Sequence, residues 1–531
     1  MTAIPRTGPS GLVQLTTSTT DDPRVVHEAA TEDYSLHVVP RSWRMSRRSM
    51  IMAWSSLLAA MFWLVLGAAM ALTVGSRDAL IGIGLSVVTY GLVNYVLATF
   101  AARSGLTVAL MSRGLFGYLG AAVATLVFAA GAIYYATFEG SVAAVALKTY
   151  FGGNLKLWYL VVVVTSVPLV LGGVRRWLEK MNAALLPIFV VGAVVAVVWA
   201  TVRHGYTSDW LHLQGAPDAV SGPGWLFAFA VYMGVWLMMF YTIDFARFGR
   251  EEDASFNGVV TFGPAFYFCT LFVNALIGIY LATTLPPAGP FSEAGLVVGI
   301  VKLMGPLGVI FILATQTKIN SANLYLASTN LESFFSRALG LTLPRTVWVG
   351  VAGVSVFLLM LTNVFSFLVT ALNYQAVVVV AWVGIALVEL TLRRLFRLPA
   401  MEFRPGRVPA FYVPGLVSWG VSSAIGIYLL RAYPATAATY GALITFAVSS
   451  ISYIGLRFAS RATDAVRHRP FDPRDEVLDA WEVHVQCHEC TKSYIAQEMD
   501  RDPTAGHRAV CASCATSVSF LRATAAEASA G

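Results

Sequence analysis

The sequence is poor in charged residues. Asp, Glu, Lys and Arg make up 12% of its 531 residues, whereas an average soluble protein has about a quarter. Hydrophobic residues make up 57%. The sequence also lacks a nucleophile–base constellation, a phosphate-binding loop and an open catalytic-metal motif. These absences argue against a soluble enzyme and indicate a membrane protein that is not an enzyme.

Apolar runs of about twenty residues recur along the chain, and each is long enough to cross a bilayer core of about 30 Å as a helix. We count twelve such runs, with approximate boundaries 50–74, 78–101, 117–147, 157–173, 182–203, 224–243, 257–284, 296–335, 346–363, 364–391, 411–431 and 435–457. The eighth run continues into a polar helical end near Glu332. The sequence therefore predicts an all-α polytopic membrane protein with about twelve transmembrane helices.

Lys and Arg are unevenly distributed between the loops. They cluster in segments 41–48, 175–180, 393–407 and 457–467, whereas the segment TTLPPAGPFSE (283–293) has none. By the positive-inside rule, this pattern predicts a multi-pass protein of the cell membrane with both termini in the cytoplasm. The net charge of +7 then reflects membrane topology, and no feature indicates nucleic-acid binding.

The N-terminal end of the chain differs in composition from the middle. Residues 1–40 are polar and Thr-rich without a signal-peptide pattern, which predicts a disordered cytoplasmic arm. Residues 41–460 hold the twelve runs and form the predicted transmembrane transporter domain. Twelve spans with both ends on one side suit a secondary transporter, and Gly67 and Gly234 interrupt the first and sixth runs. Such paired interruptions suit a five-plus-five inverted repeat followed by two extra helices.

Residues 461–531 are predicted to form a separate cytoplasmic module, the tail, which contains four of the five cysteines. Cys487 and Cys490 form one C-x-x-C pair, and Cys511 and Cys514 form a second pair after twenty intervening residues. This is the spacing of a four-thiolate zinc ribbon. Thiols in the cytosol stay reduced, so a redox pair is the weaker alternative. Because four thiolates complete a tetrahedron, the predicted zinc is structural.

Two of the apolar runs contain charged residues beside polar ones. In the eighth, Asn320 and Asn323 lie on one helical stripe, and Lys318 lies on another side. In the third, Tyr135 and Glu139 are four residues apart and share one face. Intramembrane charged residues indicate a functional site. The alternatives are polar contacts that only join helices, a lysine that extends to the membrane surface, and a structural ion pair between Glu139 and Lys318.

Three stretches of the chain carry a family resemblance, namely GLTVALMSRGLFGYLG (105–120), DFARFGR (244–250) and NSANLYLAS (320–328). In this order they resemble the segment ahead of the third helix, the end of the sixth helix and the eighth-helix signature of the nucleobase–cation symporter family, which includes purine–cytosine permeases and hydantoin carriers. The likeness covers roughly residues 41–457. It implies broken first and sixth helices and a midplane substrate site that works by alternating access.

The resemblance implies roles for individual residues of the eighth helix. Asn323 matches the family's substrate-contacting asparagine, and Asn320 lies beside it on the same stripe. Ala314, Thr317 and Lys318 match the positions that contact sodium. Lys318 departs from the family, which usually has a small hydroxyl residue there, so its ammonium group would take the place of the ion. We therefore expect the coupling ion to be a proton in preference to sodium.

The resemblance also extends to the third and sixth helices. Where the family has an aromatic residue and an amide four apart, this chain has Tyr135 and Glu139. Glu139 would suit a substrate with an amidine-like edge or a positive charge, or would itself carry the proton. Gly234 and Trp236 resemble the family's helix break and stacking aromatic residue. Tyr135 and Trp236 are thus expected to sandwich a planar ring, while the carboxamide of Asn323 pairs with its edge.

Together these features predict a secondary active transporter that imports a nucleobase or related small heterocycle of the cytosine, purine, allantoin or hydantoin class, independently of sodium. The expected partners are this substrate and the lipid bilayer, with zinc in the tail. One alternative is a carrier of amino acids or organic cations on the same architecture, which Glu139 favours. Another is a transporter-derived membrane sensor that signals through the zinc tail.

Overall fold

The computed structural model describes residues 12–171, 179–216, 220–286, 293–341, 343–362, 368–460 and 466–530. Its helices are α1 (Pro23–Glu32), α2 (Arg47–Trp54), α3 (Met61–Val74), α4 (Ser76–Ser104), α5 (Val108–Phe116), α6 (Gly120–Phe151), α7 (Leu155–Ser166), α8 (Glu179–His204), α9 (Gly224–Met233), α10 (Met238–Ala246), α11 (Ala254–Phe256), α12 (Pro264–Tyr267), α13 (Asn274–Thr284), α14 (Glu293–Met304), α15 (Pro306–Ala338), α16 (Arg345–Met360), α17 (Leu368–Leu395), α18 (Val413–Ala432), α19 (Pro434–Ala459) and α20 (Val518–Ala530). The strands are β1 (Thr17–Ser18), β2 (His484–Gln486), β3 (Ser493–Ile495), β4 (Asp500–Asp502) and β5 (Arg508–Val510).

The helices of the described residues confirm the predicted all-α polytopic membrane protein. Seven are long and apolar enough to cross a membrane, and the number is nine if each of two bent helix pairs counts as one span. Three shorter apolar segments, Leu155–Val170, Ala294–Met304 and Arg345–Met360, accompany these spans. Large apolar side chains such as Leu92 and Ile451 are exposed on the outside of the bundle, which suits contact with lipid.

The two bent pairs are the first and sixth spans, the positions that a five-plus-five inverted repeat relates to each other. The segment Arg47–Ala59 meets α3 at 45°, and α9 meets α10 at 43°. Gly234 caps α9 at the second break, as predicted. Gly67 does not lie at the first break, which falls at Ala60. It lies inside α3, where a Cβ would come within 2.4 Å of the Cβ of Ala275, so this glycine lets two helices pack closely.

The predicted eighth span, 296–335, is in fact two helices. Gly305 has a φ of +57°, a left-handed conformation that favours glycine, and it separates α14 from α15. Hydrophobicity alone gave no sign of this turn, because both helices are apolar where they meet. Some predicted features lie outside the described residues, namely the span ends at 173, 363 and 364 and the basic residues Arg175 and Arg176.

The N-terminal arm is ordered from residue 12 to residue 40, whereas we expected disorder. β1 pairs antiparallel with β2 of the tail, and β2 pairs with β3. The side chain of Asp22 caps α1 by accepting a hydrogen bond from the amide of Arg24. Composition could not predict this order because the arm's partners lie in the tail, at the far end of the chain. The first eleven residues of the arm are outside the described residues.

The tail packs against the transmembrane helices on the side that also carries the arm. In its second hairpin, β4 pairs antiparallel with β5. Arg404, in the loop between α17 and α18, forms an ion pair with Asp472 at 2.6 Å, and Arg407 forms one with Asp500 at 3.2 Å. We call this side of the bundle the tail face. Arg41 of the first basic cluster also contacts the tail there, through Asp479.

Candidate functional site

A small cavity lies where the two helix breaks meet α6 and α15. Its volume is about 20 Å³, room for about one water molecule. The lining combines aromatic, polar and aliphatic side chains, namely Phe62, Trp63, Tyr135 and Tyr241, then Glu139 and Asn323, and finally Leu57, Ala60, Val235, Met238 and Ile319. A planar heterocycle is larger than this space, so binding one requires the lining helices to move apart.

Three of the predicted substrate residues, Tyr135, Glu139 and Asn323, line this cavity together. The Oε2 atom of Glu139 is buried and has no hydrogen-bond partner among the described residues. The Oδ1 atom of Asn323 accepts a hydrogen bond of 2.9 Å from the hydroxyl of Tyr241, while its Nδ2 atom likewise has no partner among the residues described. The cavity wall therefore offers one acceptor from α6 and one donor from α15.

Tyr135 is positioned by a residue that the sequence analysis missed. The Nε2 atom of Gln375, in α17, donates hydrogen bonds of 2.8 Å to the hydroxyl of Tyr135 and 2.9 Å to the carbonyl of Gly234. That carbonyl belongs to the second helix break, where the regular helical pattern ends. Gln375 thus stabilises the break and the aromatic wall at once. Its position inside an apolar run was the one available sequence signal.

The aromatic residues from the first helix were also absent from the predicted site. The indole Nε1 of Trp63 donates a hydrogen bond of 2.8 Å to the carbonyl of Leu57 across the first helix break. The ring of Phe62 meets that of Tyr135 edge to face, with centroids 5.8 Å apart. The sequence of this helix has no glutamine to align with the family, so neither residue was among the predicted site residues.

Trp236 does not line the cavity, contrary to the expectation that it would stack on the substrate. Its ring lies edge-on to Tyr90, at 6.4 Å, and to Phe446, at 5.6 Å. Val235, in the turn that follows α9, and Met238, at the start of α10, line the cavity instead. The sandwich of Tyr135 and Trp236 is therefore absent from this arrangement, because the turn directs the indole away from α6.

Asn320 lies next to the cavity without lining it. It is buried, and its Nδ2 atom lies 3.2 Å from the point that a Cβ on Gly140 would occupy. Its Oδ1 atom has no hydrogen-bond partner among the described residues. Asn320 thus packs against α6 one residue beyond Glu139.

Lys318 is fully buried on α15, near Ala314, which is also buried, and Thr317, which is partly buried. Its Nζ atom has no hydrogen-bond partner in the part of the chain that the structure describes. Complete burial rules out an extended lysine at the membrane surface, and no ion pair joins it to Glu139. α15 also packs against the first helix break at Leu57–Ala59. An unpartnered amine in this position is costly to bury.

The family-like motifs near the tail face hold helix ends together. The Oδ1 atom of Asp244 accepts a hydrogen bond of 2.8 Å from the amide of Val108 at the start of α5. The guanidinium of Arg113 donates to the carbonyl of Phe403 at 3.1 Å. Both side chains are buried. They therefore have an architectural position, away from the cavity.

The four cysteines of the tail form one compact cluster. Their Sγ atoms all lie within 4.8 Å of one another, and those of Cys490 and Cys511 are 3.9 Å apart. A tetrahedral zinc ion with Zn–S bonds of about 2.3 Å places its sulfur atoms roughly 3.8 Å apart. None of these cysteines forms a disulfide. The cluster fits a four-thiolate zinc site, which would leave no open coordination position for catalysis.

The chain shares its fold with solved transporters. It is similar to Mhp1, a nucleobase-cation-symport-1 family transporter, in a closed conformation with bromovinylhydantoin bound, with a TM-score of 0.64 and 16% identity over 84% of this chain and 97% of Mhp1. It is also similar to inward-facing Mhp1, with a TM-score of 0.61 and 14% identity over 82% and 97% of the two chains. A third match is a Na+-coupled sialic acid symporter, with a TM-score of 0.54 and 16% identity over 81% and 92%. No protein-family model and no curated protein matches the chain.

Proposed function

We propose that this protein is a secondary active transporter that imports a nucleobase or related small heterocycle, coupled to protons and independent of sodium. The observation that carries the proposal is the cavity between the two broken helices, where an acid and a carboxamide lie among aromatic rings. Such a combination of apolar walls and a few polar groups is typical of small-molecule sites. The fold shared with Mhp1, which is described with a bound hydantoin, supports the same class of substrate.

Recognition would use the two unpartnered groups of the cavity wall. Glu139 accepts hydrogen bonds from ring N–H or amino groups, while the Nδ2 atom of Asn323 donates to a ring nitrogen or carbonyl. Tyr241 holds the amide of Asn323 in this orientation. The rings of Trp63 and Tyr135 offer faces for offset stacking. Glu139 favours substrates with an amino-bearing or amidine-like edge over neutral imides.

Coupling would depend on Lys318. Its ammonium group supplies the positive charge that sodium supplies in relatives with a hydroxyl residue at this position. Since a buried amine loses its proton more readily than an exposed one, proton release and rebinding would accompany the opening of the site to each side in turn. Ala314 and Thr317 then border the lysine without binding an ion.

The tail face is assigned to the cytoplasm, with the protein in the cell membrane. The arm, the tail and two basic clusters share this face, and basic residues favour the cytoplasmic side. Residues 41–460 form the transporter domain in this proposal, and residues 461–531 form a module with one structural zinc ion on Cys487, Cys490, Cys511 and Cys514.

A thermal-shift screen of the purified full-length protein tests the substrate class. The panel contains nucleobases, hydantoins, vitamins and polyamines. We expect stabilisation by a heterocycle, weakened in Glu139→Gln and Asn323→Ala but retained in Trp236→Phe, which alters a tryptophan outside the cavity. Stabilisation that is equal in all four proteins would contradict this assignment of the site.

Glu139 also favours a second candidate function, a carrier of organic cations or amino acids. With amino acids added to the panel, the same screen identifies this function if a polyamine or an amino acid gives the largest shift. Accumulation in vesicles separates both carriers from a membrane sensor, because a sensor binds its ligand without concentrating it.

A further inference from the structure

The tail holds part of the N-terminal arm through contacts next to the cysteine cluster. Glu498 accepts a hydrogen bond from the amide of Val38 at 3.0 Å and pairs with the Nδ1 atom of His37 at 2.8 Å. The Nε2 atom of His37 lies 2.8 Å from the hydroxyl of Ser513, between Cys511 and Cys514. The imidazole ring also stacks on Tyr494 at 4.3 Å. One residue of the arm thus contacts three different parts of the metal module.

The same part of the arm is bound on its other side to the transmembrane helices. Arg247, at the end of the broken sixth helix, is fully buried and donates hydrogen bonds to the carbonyls of Asp33, at 2.8 Å, and Tyr34, at 3.1 Å. A little further along, the amide of Met45 donates to the carbonyl of Phe248 at 2.6 Å. Residues 33–45 therefore lie between the tail and the end of α10.

Residues 33–45 lead directly into α2, the tail-face half of the broken first helix. Only Ser46, which caps α2, separates Met45 from the helix. A displacement of residues 33–45 would therefore also displace α2, because a single residue joins them. Leu57 and Ala60 of the break that follows α2 line the cavity, as do Phe62 and Trp63 of α3, so a displacement of α2 would move one wall of the cavity.

The cysteine cluster fixes the parts of the tail that hold the arm. Cys487 follows β2, the strand that pairs with β1 of the arm, and Cys511 follows β5. The strands are only three residues long, and so small a module depends on its metal for a defined fold. Loss of the metal would free the loop that carries Ser513 and the hairpin that carries Tyr494.

We propose that the four-cysteine site controls the opening of the transport pathway on the tail face. With a zinc ion bound, the tail holds residues 33–45 against the end of α10 and keeps α2 in its closed position. When the metal is lost, the arm detaches and α2 can move outward. The protein would thereby adjust its activity to the zinc supply of the compartment that the tail occupies. This inference rests on the metal site within the proposed function, but not on the identity of the substrate.

Hydrogen–deuterium exchange on the full-length protein in nanodiscs tests the proposal without a transport assay. Metal content is measured on the same sample, before and after treatment with a zinc chelator. We expect one zinc ion per chain before treatment. After its removal, we expect exchange in segments 33–45 and 47–59 to rise by roughly tenfold or more, because several hydrogen bonds to charged groups are lost together.

Glu498→Ala and Asp475→Ala form a matched pair that leaves the cysteines intact. Glu498 contacts the arm, whereas Asp475 is an exposed acid of the same tail. Glu498→Ala should raise exchange in both segments with its zinc retained, and Asp475→Ala should match the unmodified protein. His37→Ala, which removes the arm's side of the contact, should repeat the result if Glu498→Ala disturbs the tail itself.

Three results would overturn the proposal. The first is a purified protein that contains no zinc. The second is metal removal that leaves exchange in segments 33–45 and 47–59 unchanged. The third is equal exchange in His37→Ala, Glu498→Ala and Asp475→Ala. Because all three are read without substrate, they are independent of whether a heterocycle is transported.

Discussion

Replacement of Lys318 by methionine should stabilise the protein while it abolishes coupled transport. Lys318 is fully buried, and its Nζ atom has no hydrogen-bond partner among the described residues. Methionine has a similar length and keeps most of the apolar contacts of the lysine stem. The substitution removes only the cost of burying a polar group without a partner, which is about 1–3 kcal/mol for a neutral group in protein mutational data. We therefore expect Lys318→Met to be more stable than the unmodified protein by about that amount.

Two further variants provide reference values for the change in unfolding free energy of Lys318→Met. Lys318→Ala also removes the amine but leaves a cavity, and truncation of a buried side chain of this size costs about 2–5 kcal/mol. It should therefore be less stable than Lys318→Met. Ile312→Met, at another fully buried position of α15, controls for methionine itself and should be neutral or destabilising by less than about 1.5 kcal/mol.

The assay is unfolding of the three variants and the unmodified protein in one detergent, at pH 7 and without substrate. Uptake is measured in parallel in proteoliposomes. A Lys318→Met protein that is clearly less stable than the unmodified one would contradict the conclusion that the Lys318 amine is buried without a stabilising partner. Undiminished proton-driven uptake by this variant would show that Lys318 has no part in coupling.

Three other predictions concern the cavity and the tail. Glu139→Gln keeps the shape of the side chain but removes its charge, so affinity for amino-bearing heterocycles should fall more than affinity for neutral imides. Equal losses of affinity in a binding assay would show that Glu139 has only a structural role. Gln375→Leu removes the hydrogen bonds to Tyr135 and Gly234 and should destabilise the protein by about 2 kcal/mol and weaken substrate binding. Unchanged stability together with unchanged substrate affinity would contradict this role of Gln375. Burial would raise the pKa of Asp472, but hydrogen bonds from Arg404 and the nearby charge of Arg407 lower this pKa to about 2. The contribution of Asp472 to tail packing is therefore complete above about pH 4 and is lost as the pH falls toward 2. Hydrogen exchange of residues 466–530 should rise between pH 4 and pH 2, and a rise already at pH 6 would contradict this assignment.

Much of the fold was predictable because the length of an apolar run and the residues at a helix break determine the structure of their own segment. The twelve spans follow from run length, and Gly234 marked the sixth-helix break. The first break was harder to predict, since no glycine lies there and the Trp63 indole satisfies a carbonyl across it. The order of the arm could not be predicted from composition, because its stability comes from β2, Glu498 and Arg247, which are distant in sequence.

The candidate site was predictable where helical spacing decides the outcome. Tyr135 and Glu139 share a face of α6 and both line the cavity, as does Asn323 of α15. Trp236 was expected at the cavity from the resemblance, whereas in the structure its ring contacts Tyr90 and Phe446 after the helix break. Gln375 was missed because its partners are formed only by the packing of three helices.

Uptake by proteoliposomes that contain the full-length protein distinguishes proton-coupled import of a heterocycle from sodium-coupled import. Sodium is replaced by choline or potassium on both sides, and the substrate is the heterocycle that gives the largest thermal shift. We expect uptake to persist without sodium, to increase under an inward proton gradient and to stop when a protonophore is added. Uptake that requires sodium and does not respond to the proton gradient would show that the protein is not a proton-coupled transporter.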